Sequence, residues 1–185
     1  MDFTYINFDE SSHKFNIHST YIRSFPLKER FPFKILCDCN FDSSLSVLEE
    51  IACDGRYIGM DFKVKYENIT YLMYFAIDKD YRNKGFGSEV LQDYIHTSDN
   101  LLLCIESPDI NCPETIKRKS FYIRNGMYET GICVEDTGVI YEFLSSKKGF
   151  VPDEDCLRNR YLRMAENPSL IQKILETFDA DIHII

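Results

Sequence analysis

The run Arg82-Asn83-Lys84-Gly85-Phe86-Gly87-Ser88 carries the strongest chemical signal in the chain. Gly85 and Gly87 remove side chains, so successive backbone N–H groups can converge on an oxyanion. Val90, Leu91, Tyr94 and Ile95 then recur at helical spacing, which predicts a helix opening directly after the glycines. The positive end of that helix adds to the same point. Arg82 and Lys84 bring local positive charge to a chain of formal net charge −9. The chemistry is phosphate binding. A P-loop is excluded, because G-x-x-x-x-G-K-[ST] does not occur. A dinucleotide fingerprint is excluded too, since its third glycine is replaced by Val90. On these residues alone, an α/β domain holding some other phosphate ligand stays open.

Positioning such a loop takes a strand before it and a helix after it. Ile69–Ile77 is a continuous apolar stretch that reads as a central strand covered on both faces. Upstream, DFTYINF predicts a first strand, and residues 14–41 one or two helices broken by Pro26 and Pro32. Alternation from Leu45 to Cys53, then Asp54-Gly55, predicts a hairpin. On its return strand Tyr57, Gly59, Asp61 and Lys63 are expected to face one way, Ile58, Met60, Phe62 and Val64 the other. Leu101–Glu106 reads as another buried strand, 114–125 as a basic amphipathic helix stopped by Gly126, and 127–134 and 138–144 as two last strands. In the tail, Pro152 starts one helix and Asn167-Pro168 a second, with Leu170, Ile171, Ile174, Leu175 and Phe178 as its apolar stripe. The expected organisation is a domain over 1–145 and a helical extension over 146–185, packed on the domain or on a second subunit in a homodimer.

Composition narrows the partners. An acidic chain lacks the basic face that nucleic acid or anionic lipid requires. The seven cysteines include no C-x-x-C, so no metal site is expected and the thiols read as reduced core residues of a cytoplasmic protein. The opening residues do not form a secretory leader, and no apolar run approaches the ~20 residues of a membrane span.

The stretch Y-F-A-I-D-K-D-Y-R-N-K-G-F-G-S-E-V-L closely resembles the acetyl-CoA-binding segment of the GNAT superfamily of N-acetyltransferases, with Arg82, Gly85 and Gly87 filling [Q/R]-x-x-G-x-[G/A]. Further on, F-Y-I-R-N-G-M (Phe121–Met127) resembles the family's F-Y-x-x-x-G-F landmark. The likeness covers roughly 1–145 in element order and is motif-level within 71–127. It implies an α/β (α+β type) GNAT fold, a mixed sheet of about seven strands flanked by helices. It also implies acetyl-CoA as cosubstrate and, as acceptor, a primary amine of a small molecule or peptide. Backbone groups of Phe75, Ala76 and Ile77 would bond the pantetheine arm, and the amides from Asn83 through Lys84, Gly85, Phe86 and Gly87 to Ser88 would hold the pyrophosphate. Tyr122 matches the tyrosine that protonates the departing sulfur. One position departs from the pattern: Thr115 stands where many members carry an asparagine, with Asn111 as a substitute.

Direct acyl transfer needs no protein nucleophile, but the amine must lose a proton. Glu106, ending the strand L-L-L-C-I-E, is the candidate base, with Tyr71 and Tyr74 as alternatives that would orient a water. Lys117, Arg118 and Lys119 read as a solvated helix face. Tyr21, Arg23, Phe25, Phe31 and Phe33 are candidates for the acceptor pocket or for core. The competing expectation is a catalytically silent module of the same fold that binds acetyl-CoA or a protein partner.

Overall fold

In the computed structural model, which describes residues 1–40, 42–136, 138–162 and 183–184, the alternating segments build one eight-stranded sheet. Its strands are β1 Phe3–Asn7, β2 Ser46–Cys53, β3 Arg56–Tyr66, β4 Ile69–Ile77, β5 Asn100–Glu106, β6 Tyr128–Asp136, β7 Val139–Ser145 and β8 His183–Ile184. They lie in the order β1-β2-β3-β4-β5-β7-β6-β8. Only β4 and β5 run parallel, which makes the sheet mixed. The expected seven strands are present, and a two-residue edge strand against Val134 and Glu135 makes the eighth.

The prolines act where their geometry demands. Helix α1 (Lys14–Ser24) ends before Pro26, which opens a short 3-10 turn over Leu27–Glu29, and Pro32 precedes helix α2 (Phe33–Cys39). Helices α3 (Phe86–Thr97) and α4 (Pro113–Arg124) cover one face of the sheet, over Ile58, Leu72, Leu103 and Leu144. Helices α1, α2 and α5 (Glu154–Leu162) cover the other, over Phe62, Tyr71 and Phe143. Helix α5 is capped by Asp153, whose carboxylate accepts the Cys156 N–H at 2.7 Å. It buries Cys156, Leu157 and Tyr161 in the core. The stripe expected from Leu170 to Phe178 lies outside the described residues. Among the described residues no helix is long and apolar enough to cross a membrane.

Of three register shifts in the sheet, two shape the site, in β3 and β4. In β3, Gly59 pairs with Ile51 and Tyr57 with Ala52, leaving Ile58 as the extra residue. A bulge resets the period-two count. The expected facing of β3 is therefore corrected: Tyr57 joins Met60, Phe62 and Val64 in one core, and Ile58 enters the opposite one. In β4, Tyr74 pairs with Phe62 and Leu72 with Lys63, so Met73 is the extra residue and the strand bends. Strand β4 then pairs with β5 only from Ile69 to Tyr71, opposite Asn100 to Leu102. Beyond Tyr71 the two strands part, and the sheet opens in its middle.

Candidate functional site

The opening between β4 and β5 is a cleft of about 750 Å³. One wall is β4 from Leu72 to Ile77, the other β5 from Leu103 to Glu106, and α4 contributes Arg118, Phe121 and Tyr122. The exposure of Cys104 in an otherwise buried strand follows directly from the parting.

The unpaired edge of β4 can be assigned residue by residue. The Asp78 N–H bonds the Ile58 carbonyl at 2.8 Å, and Ala76 lies opposite Met60. Alternation of an antiparallel ladder then turns the polar groups of Ala76 toward β3 and those of Phe75 and Ile77 toward the cleft. Ala76, expected to bond a ligand arm, supplies cleft wall instead. The Ile77 carbonyl is also engaged, by Arg82 Nε at 2.8 Å. What remains for a ligand is the amide and carbonyl of Phe75 and the amide of Ile77.

At the end of that edge the chain turns into α3. Asn83 (φ 60°) and Gly85 (φ 90°) both adopt the left-handed conformation, the geometry that turns consecutive amides to one side. No described residue accepts a hydrogen bond from the amides of Asn83, Lys84, Gly85, Phe86 or Gly87. The Ser88 amide, expected to belong to this cradle, donates instead to the Gly85 carbonyl at 2.9 Å. The side chains of the basic residues are turned away from the cradle. Arg82 also reaches Ser24 Oγ at 2.9 Å, clamping the loop to α1, and Lys84 donates to the Asp80 carbonyl at 2.7 Å over the Tyr81 ring. Phe86 packs edge-on against Tyr81.

Tyr122 is half-buried, packs edge-on against Phe121, and lines the cleft. No described residue hydrogen-bonds its hydroxyl. Burial pushes that hydroxyl up to about 12, so it stays protonated across the physiological range.

Across the cleft, Glu106 is held by Arg118 at 3.1 Å. Beside it lies Glu29, from the 3-10 turn, its side chain only 10% exposed. Burial, and then the neighbouring Glu106 carboxyl, raise Glu29 above the ordinary carboxylate value. Sequence reasoning missed Glu29, because nothing local distinguishes an acid in a turn between two prolines. Arg160 of α5 also lines the cleft, and it was missed too. Its signal was readable: Cys156, Leu157, Arg160 and Tyr161 recur at the spacing of one buried helical stripe.

Other candidates take structural places. The Tyr71 hydroxyl donates to the Cys156 carbonyl at 2.6 Å, while that of Tyr74 accepts the Phe31 N–H at 3.1 Å. Thr115, in the first turn of α4, ties the preceding loop to the helix, its hydroxyl accepting the Asp109 N–H and donating to the Cys112 carbonyl, and Asn111 is exposed and tied to Asp109. Lys117, Arg118 and Lys119 pair with Glu114, Glu106 and Glu142. Phe25 and Phe31 line the cleft, whereas Tyr21 is fully buried core. Among the described residues no group of three or more His, Cys, Asp or Glu side chains is placed to hold a metal.

Residues 15–108, just over half the chain, match the Acetyltransferase (GNAT) family. The chain belongs to the GNAT acetyltransferase family. It is an acyltransferase. Its fold matches that of a GNAT-family protein of Bacteroides thetaiotaomicron at TM-score 0.68 and 19% identity, over 95% of this chain and 96% of that one. It matches the ribosomal-protein-S18-alanine N-acetyltransferase of Escherichia coli at TM-score 0.56 and 12% identity, over 83% and 98%. It also matches Ard1 of Thermoplasma volcanium at TM-score 0.56 and 16% identity, over 78% and 97%. No curated protein matches in sequence. Within this GNAT chain, ten of the twelve residues singled out by sequence line one cleft, and Lys84 and Phe86 sit behind the loop.

Proposed function

We propose that this GNAT protein transfers an acetyl group from acetyl-CoA to a primary amine of a small molecule or peptide, by direct attack in a ternary complex. The observation that carries the reading is the run of unengaged amides from Asn83 to Gly87, at the mouth of α3 and directly after the unpaired edge of β4. The diphosphate suits the amides, and the pantetheine arm suits the edge as an added strand on Phe75 and Ile77. Arg124, which lines the cleft and makes no ion pair with a described residue, offers charge to the remaining phosphate.

The chemistry then falls to groups on both walls. A free alkylammonium titrates near ~10.4, so it must lose a proton before it can attack. Glu29 takes that proton: its raised carboxyl is a stronger base than an ordinary surface glutamate. The amine nitrogen bonds the thioester carbon, and the oxygen gains charge against a β4 amide. As the carbon–sulfur bond breaks, the Tyr122 hydroxyl gives its proton to the sulfur. Glu106, held by Arg118, adds its charge to the burial that raises Glu29. The E. coli relative is named for acetylating an alanine of ribosomal protein S18, and an amine on a polypeptide is within the same chemistry.

The test is calorimetric titration with CoA, alongside thiol release from acetyl-CoA with a panel of amines. Gly85→Glu sets a carboxylate where the phosphates belong and should abolish measurable CoA binding. Gly85 has φ 90°, so a substituted side chain there is also strained. Gly87→Asp, free of that strain, repeats the charge test. CoA affinity unchanged in both variants sinks the reading.

A further inference from the structure

Arg160 is 3% exposed and lines the cleft. Its Nη2 donates to the Tyr161 hydroxyl at 2.9 Å, while Nε and Nη1 have no hydrogen-bond partner among the described residues. The guanidinium carbon lies 4.8 Å from the centre of the Phe143 ring and 4.5 Å from that of Tyr161. Among the described residues the groups that act on it most strongly are Tyr161, Cys104 and Tyr71, and none of these is a carboxylate. A guanidinium is charged at every working pH. Buried charges in folded proteins are normally paired, because an unpaired one costs free energy. No anion among the described residues pairs with Arg160, and the side chain lies at the wall of a space large enough to admit one.

The location separates this anion from those of the donor. The cradle for phosphate is at the far end of β4, at Asn83 to Gly87. Arg160 is instead near Cys104, which also acts on Tyr122, so the guanidinium sits by the reacting end of the cleft. By the alternation of β5, Cys104 and Glu106 share the face that carries Leu102 and α5. Glu29 interacts with Glu106 there. One side of this space is thus anionic, and Arg160 gives the other a fixed cation with N–H donors to spare, able to bond a carboxylate oxygen.

We propose that Arg160 binds a carboxylate of the acceptor, so that the acceptor is an amino acid or a similar small amino-carboxylate rather than a simple alkylamine. This rests on the acetyl-transfer reading above. The ammonium end goes to Glu29 and Glu106, and the carboxylate end goes to Arg160, which fixes the amine relative to the thioester.

The experiment compares thiol release from acetyl-CoA with the twenty proteinogenic amino acids and with their carboxamides. In parallel, 3-phenylpropionate, which has a carboxylate but no amine, is titrated calorimetrically into the CoA-loaded protein. The wild type should prefer the best acid over its amide roughly 10- to 100-fold in kcat/KM, the worth of a charge-assisted hydrogen bond. In Arg160→Met that ratio should fall to about one and 3-phenylpropionate binding should weaken at least tenfold, while Arg160→Lys should keep part of both. The ligand-free Arg160→Met protein should melt no lower than wild type, because an apolar side chain replaces a charge with no counter-ion. Amines acetylated without preference for the acid overturn the inference and leave acetyl transfer standing. Binding of 3-phenylpropionate that depends on Arg160, with no amine acetylated, leaves the carboxylate site standing and removes the acetyl-transfer reading. A drop of several degrees in Arg160→Met marks a purely structural guanidinium and overturns the inference.

Discussion

Two clusters of charge lie against the same sheet, and they are built on opposite terms. Around β3, Lys63 meets Glu49 at 2.6 Å and Asp61 at 3.6 Å and lies over the rings of Tyr94 and Tyr5. The Tyr94 hydroxyl donates to Asp61, and that of Tyr5 to Asp93 at 2.6 Å. Lys63 there is shared by two carboxylates within the protein, Glu49 and Asp61, and Asp61 is fully buried. In the cleft, among the described residues, the Tyr122 hydroxyl has no partner, Glu29 lies against a second carboxyl, and Arg160 has no counter-ion. The closed cluster serves the fold. The cleft leaves its polar groups incomplete, and that incompleteness marks where ligands belong.

The largest effect should come from breaking the closed cluster. Lys63→Met strands the buried Asp61 carboxylate beside the part-buried Glu49 and should cost about 3–5 kcal/mol in urea denaturation. A variant as stable as the parent would erase the distinction between the regions. Next is the cleft: Tyr122→Phe should lower kcat by about 100-fold with CoA affinity and melting temperature nearly unchanged. Glu29→Gln should lower the neutral-pH rate by about tenfold or more.

The pH profile sharpens the same point. Glu29 must be ionised to accept a proton, and its carboxyl lies above the ordinary value, so activity should fall on acidification through that raised range. Glu106→Gln removes a like charge, so the acid limb should move to lower pH; a limb that stays put would detach Glu106 from Glu29. The smallest effect belongs to Gly87→Ala. An added Cβ would meet Ile77 at 3.5 Å and Phe121 at 3.6 Å, ordinary contacts, so stability should change by less than about 0.5 kcal/mol.

What the sequence made legible was local. Gly85 and Gly87 specify the loop through their own backbone freedom, and Pro26 and Pro32 break the early helices wherever the chain folds. Facing on β3 was not legible, because the bulge at Ile58 is set by pairing with β2 and not by residue type. The bulge at Met73 was hidden for the same reason, and with it the parting of β4 from β5. Glu29 was invisible because its chemistry comes from Glu106, a neighbour distant along the chain. Arg160 was overlooked although its place on the α5 stripe could be counted.

The sheet that parts after Tyr71 and Leu102 has a mechanical consequence. Glu29 rides with the N-terminal strands, whereas Glu106 and Tyr122 ride with the C-terminal ones. Whatever wedges into the gap therefore sets the spacing between base and acid. On the proposed function, a donor lying along β4 would be a structural splint as well as a reagent, holding the two sides of the gap at their spacing.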